Sequence, residues 1–148
     1  HYILGDTFFT NSYVHTMGLW MYRDQQWKAH PEYYFWGLIC KYTDIGSEIY
    51  PIESKDQDVL LIGFKLPDGS WSYMIANNGA GSKKIAITNG KIDRPDSMSA
   101  YKITESLIPE DRAVVLPDAY DTIETAEGVA YVTLPAKSFT VLSNKTFD

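Results

Sequence analysis

Acids in turns, aromatic rings beside acids, and three histidines with one cysteine are the side chains here that could do chemistry. Glu105, Glu110, Asp111, Asp118, Asp121, Glu124 and Glu127 crowd one stretch of the chain. Two carboxylates facing each other across a cleft can serve as acid and base, or as acid and nucleophile. The spacing pairs no two of these acids, and carboxylates in turns and at strand ends are ordinarily solvated. His1, His15 and His30 have no cysteine or acid partner at ligand spacing, so zinc is not expected. Asp93 with Asp96, and Asp118 with Asp121, lack the ligand density of a calcium loop. The cluster Asn77-Asn-Gly-Ala-Gly81 joins two predicted strands and opens no helix, which makes it a hairpin loop and not a phosphate cradle. No Gly-x-Ser-x-Gly elbow is present, and no catalytic residue and no cofactor are expected within the chain. Asn144-Lys-Thr146 is a formal glycosylation triplet.

Rings are the remaining chemical resource. An exposed aromatic face is a flat platform for a sugar when amides or carboxylates flank it. Trp71, Tyr73, Tyr101, Tyr120 and Tyr131 are candidates. Trp71 and Tyr73 share a face with Ile75 and read as core, whereas Tyr120 lies between Asp118 and Asp121 in a predicted loop and is expected to be exposed.

The chain that must position these groups has 148 residues, 45% of them hydrophobic and 22% charged, the proportions of one ordinary domain. Thirteen basic residues against 19 acidic ones give a net charge of −6, and no basic stretch could neutralise a phosphate backbone. Nucleic acid and anionic membrane are therefore not expected partners. No apolar run is long enough to span a bilayer and no signal peptide is recognisable, so a soluble chain is expected. Cys40 has no partner cysteine, and its apolar surroundings predict a buried thiol.

Two periods divide the sequence. Three of the four tryptophans fall in residues 1–45, where Val14, Met17, Gly18 and Met21 recur at helical spacing and predict a helix from about Ser12 to Gln26. Pro31 suits a first helical position, and a second helix is predicted from Pro31 to Thr43. Its apolar residues cover nearly every face, which calls for cover on more than one side. From Gly46 onward the period becomes two and turn signals recur, the pattern of a mainly β, antiparallel β-sandwich of about eight strands. The predicted strands are Val59 to Leu66, Trp71 to Asn77, Lys83 to Thr88, Ser99 to Glu105, Arg112 to Leu116, Asp121 to Thr125, Val129 to Leu134 and Ser138 to Ser143. In the first of them Leu60, Ile62, Phe64 and Leu66 share one face. Residues 1–45 are thus a helical segment and residues 46–148 the β-sandwich.

The run from Ala29 to Tyr50, with His-Pro-Glu-Tyr-Tyr-Phe-Trp at its start, resembles the exit from the last helix of a (β/α)8 barrel in clan-A-type glycoside hydrolases, where the chain enters a C-terminal β-sandwich. Gly128-Val-Ala-Tyr-Val-Thr-Leu-Pro and Ser138-Phe-Thr-Val-Leu142 are similar to the closing hairpin of those sandwiches, and Trp71-Ser-Tyr-Met-Ile-Ala-Asn-Asn78 to their strand with paired asparagines. The resemblance covers residues 29–142. It implies a non-catalytic accessory domain packed on an upstream catalytic barrel of the same polypeptide, whose strands would carry the catalytic acids, in a hydrolase that acts on carbohydrate and is exported. Residues 1–28 would then end the barrel, with Asp6 behind its last strand on the face where barrel loops build active sites. The alternative is two helices packed on one face of a single α+β domain. Tyr33, Tyr34, Trp36 and Ile39 are the expected interdomain packing residues, and Tyr120, Asp118, Asp121 and Asp6 the candidate sugar-binding ones, should the domain bind polysaccharide as a carbohydrate-binding module.

Overall fold

Pro31 opens the helix α1, Pro31–Tyr42, with a preset backbone angle and no amide to leave unpaired. Glu32 in the first turn and Lys41 in the last complement the helix dipole. The Thr43 hydroxyl donates to the Ile39 carbonyl at 2.8 Å, and Gly46, at φ +89°, makes the turn that releases the chain into the sheet. The computed structural model describes residues 19, 28–88, 97–104, 106, 115–126 and 128–147. The helix predicted for Ser12 to Gln26 lies outside them except for Leu19, which is not helical, so α1 is the one α-helix among the described residues.

Eight strands follow: β1 Glu48–Ile52, β2 Val59–Lys65, β3 Trp71–Asn77, β4 Lys83–Thr88, β5 Ser97–Ile103, β6 Asp121–Ala126, β7 Val129–Leu134 and β8 Ser138–Ser143. β3, β4, β7 and β8 run between the residues predicted for them. The strand expected at Arg112 to Leu116 is absent over its described part, Val115 and Leu116, and β1 takes its place in the count. Pro51 within β1 is tolerable because β1 is an edge strand, where an amide is not needed on the outer side.

All pairings are antiparallel, in the order β1-β2-β3-β8-β5-β6-β7-β4. The predicted sandwich of two sheets is therefore corrected to one curled, half-closed sheet. The cause lies in β6, whose first four residues pair with β5 while Thr125 and Ala126 pair with β7, so that hydrogen bonding carries continuously from one wall to the other.

The curl closes on a core of Trp71, Tyr73 and Ile75 from β3, Met98 and Ala100 from β5, Ala130, Val132 and Leu134 from β7, and Leu142 from β8. Because side chains alternate, the residues between them face the other way. Met74, Ile103 and Val141 meet Tyr34, Leu38 and Tyr42 of α1 there, with Phe35 edge-on to Phe139 and Tyr42 against Tyr101. The central strands β3, β8 and β5 are thus covered on both faces. Asn77 locks one end of the curl: its buried amide donates to the carbonyls of Gly81 at 3.0 Å and Pro135 at 2.7 Å, and its oxygen accepts from the Gly79 amide.

Candidate functional site

The buried stripe of α1 is Tyr34, Leu38 and Tyr42, four residues apart and turned into the sheet. Trp36 and Cys40 lie about 200° away from Tyr34 and Leu38 around the helix. They are exposed, Trp36 at 47%. This corrects the buried thiol expected for Cys40: an all-round apolar helix offers one stripe to one sheet, and Cys40 falls on the other side. Tyr33 and Ile39 are half-buried at the margins of the contact. Of the four residues expected to pack between domains, Tyr34 is taken up by this domain's own sheet, while Trp36 faces away from it. Leu116 lies against Gly37, where a side chain would collide with it.

α1 covers only part of its side of the sheet. Beside it the same face continues over β3, β2 and β1, where Met74, Ile62, Phe64 and Pro51 stand in adjoining rows by register. Leu60 is 68% and Ile49 61% exposed. A groove of about 510 Å³ opens along this face, floored by Leu60, Ile62, Met74, Ala76 and Phe139 and rimmed by Glu53, Ser54, Asp56 and Gln57. Leu60 does share a face with Ile62 and Phe64 as predicted, but no described residue covers it, since α1 lies over β8 and β5. An open apolar face of this kind marks a contact surface.

The candidate sugar residues sit elsewhere. The Tyr120 amide donates to the Ala100 carbonyl at 2.9 Å, which fixes the approach to β6. Tyr120, Asp118 and Asp121 are all exposed, and the Lys102 ammonium lies 4.2 Å from the centre of the Tyr120 ring, over one of its faces. Partial burial, with the charge of Asp121 behind it, raises the Tyr120 phenol above its usual range. On the helix side, burial pushes the Tyr42 phenol far above its ordinary range, and a hydrogen bond with Tyr101 and the charges of Tyr101 and Asp118 act in the same direction. Asp6 lies outside the described residues. Tyr101 is half-buried, Trp71 and Tyr73 are core, and Tyr131 is the most exposed tyrosine among the described residues. Those residues contain no group of three or more metal-ligating side chains and no helix long and apolar enough to cross a membrane.

The sequence matches no family model and no curated protein. Solved structures do match. A GH30 endoxylanase from Clostridium papyrosolvens C71 superposes with a TM-score of 0.63 and 18% identity, over 80% of this chain and 28% of its own. The glycoside hydrolase family 30 subfamily 8 xylanase Xyn30A from Clostridium acetobutylicum gives 0.64 and 16%, over 85% of this chain and 30% of its own. The fold is that of one part of these xylanases. The match is consistent with their C-terminal β domain, as the sequence resemblance implies. This chain spans less than a third of the length of either enzyme, and at such identity the likeness is one of fold.

Proposed function

We propose that this chain is a non-catalytic accessory β domain of a larger carbohydrate-active hydrolase, docked through its α1 side on the catalytic domain of the same polypeptide. The observation that carries this reading is the apolar face beside α1 that no described residue covers, with Leu60 and Ile49 exposed on it and Trp36 exposed on α1. A partner rich in apolar surface, held at high local concentration by covalent linkage, is the occupant that such a face needs. The fold likeness to a small part of two xylanases supports the same arrangement. Trp36, Ile39 and Tyr33 would meet the partner, and Tyr34 would hold the helix to the sheet beneath. Catalysis would belong to the partner domain.

Size-exclusion chromatography with light scattering tests this on the 148-residue chain. With its docking face open the chain should self-associate as its concentration rises, and Ile49→Asp with Leu60→Asp should return it to a monomer with unchanged circular dichroism. A wild-type chain that stays monomeric and binds no hydrophobic dye would remove the reading.

A second reading, carbohydrate binding by exposed rings, is favoured by the exposure of Tyr120 beside Asp118 and Asp121. Lys102 lies over one face of the Tyr120 ring. In this reading Asp6 would contribute from the barrel side.

A further inference from the structure

The outer wall of the curl carries Tyr131, a candidate ring that lies on a different strand from the one next to Tyr120. Along β7, Ala130, Val132 and Leu134 are buried in the core, while Tyr131 and Thr133 are exposed on the opposite side. On β4, Ile87 goes inward and Lys84, Ala86 and Thr88 outward. The register sets Ala86 opposite Tyr131 and Lys84 opposite Thr133. Tyr131 is 68% exposed, and its cross-strand neighbour is only a methyl group, so one ring face stands clear beside a depression of about 480 Å³ between the two strands.

We propose that this β4–β7 face is a binding platform for a neutral polysaccharide of pyranose units, with Tyr131 as the stacking ring. A pyranose presents an apolar C–H face edged by hydroxyls. The C–H face suits the Tyr131 ring over Ala86, and the edge suits the Thr133 hydroxyl and Lys84 ammonium on the same rows. Charge selects the occupant. The chain carries −6, which disfavours acidic glycans at long range. Lys83 is already engaged by Asp56 and Asp58, which leaves Lys84 as the cation beside the ring. β4 and β1 form opposite edges of the sheet, so a glycan on this face leaves the open face over β1–β3 clear.

The choice of polysaccharide rests on reading the chain as part of a carbohydrate-active hydrolase, but the binding is separable from the docking of α1. Affinity electrophoresis of the chain through gels containing neutral xylan, mixed-linkage β-glucan or glucomannan is the test, with Tyr131→Ala, Tyr131→Phe and Tyr120→Ala run beside it. The expected result is retardation by at least one glycan, weakened about tenfold or more in Tyr131→Ala and kept in Tyr131→Phe and Tyr120→Ala. Retardation by none of the three, or retardation lost in Tyr120→Ala and kept in Tyr131→Ala, would overturn the proposal. Neither outcome bears on self-association through the Leu60 face, which chromatography reads by itself.

Discussion

Leu38→Ala on α1 should destabilise the whole domain, although α1 is a single helix on one face of the sheet. Leu38 is fully buried among Met74, Ile103 and Val141, which belong to three different strands. The substitution removes three carbon groups, worth about 2.4 kcal/mol at roughly 0.8 kcal/mol each. The cavity left between helix and sheet brings the total to about 3–4 kcal/mol, because the packed β3, β8 and β5 cannot collapse into it. Trp36→Ala, two residues earlier, removes a larger side chain that is about half in water, and alanine's helix propensity offsets part of the loss, so it should cost the isolated chain less than Leu38→Ala does. Urea unfolding followed by far-ultraviolet circular dichroism and by tyrosine and tryptophan fluorescence reads both. The two probes should coincide for Leu38→Ala, with a lower midpoint and an unchanged slope. A cost below about 1 kcal/mol, or a loss of helix signal ahead of the sheet, would refute the argument that α1 shares this domain's core.

Three further outcomes follow from the polar groups. Asn77→Asp replaces a buried amide donor by a carboxylate facing the carbonyls of Gly81 and Pro135, and should cost about 3 kcal/mol or more by thermal or urea unfolding. Thr140→Val should be neutral or stabilising by up to about 1 kcal/mol, because the Thr140 hydroxyl is buried without a hydrogen-bond partner among the described residues; a loss of more than about 1 kcal/mol would show a partner. The Lys83 ammonium holds the Asp56 carboxyl below the usual carboxylate range, and Asp56 in turn raises Lys83. The contribution of Asp56 is present above the unfolded carboxylate pKa of about 3.9 and is lost as pH falls through the lower folded value, while that of Lys83 is lost only as pH rises past its raised value above about 10.4. Asp56→Asn should therefore lower the urea midpoint at neutral pH, and the gap to wild type should close as the pH is taken down below 4.

Pattern along the chain was enough to place β3, β4, β7 and β8: in β4 and β7 a more buried row repeats every second residue, and in β3 and β8, buried on both faces, a short run is bounded by turns. It could not show which strands pair. β4 follows β3 in sequence yet bonds to β7 at the far edge, and β6 bridges two walls, choices made by long-range packing that no local pattern encodes. β1 escaped notice because Pro51 breaks a strand pattern everywhere except at an edge. Leu116 looked like a strand residue, but its apolar side chain serves the contact with Gly37. In the sites, the aromatic content of α1 was visible, but its division into a buried stripe and an exposed Trp36 and Cys40 depends on where the sheet lies. The alternation of β7 put Ala130 and Val132 on one face and Tyr131 on the other; that the Tyr131 side is open required the structure.

Calorimetry of the longer polypeptide proposed above, wild type against Trp36→Asp with Leu60→Asp, tests the docking of this domain most directly. Docking predicts that the wild-type domain unfolds together with the proposed catalytic neighbour, and that the double variant splits off a separate transition whose drop in temperature exceeds the drop that the same changes cause in the isolated chain. An identical trace for both polypeptides would contradict it.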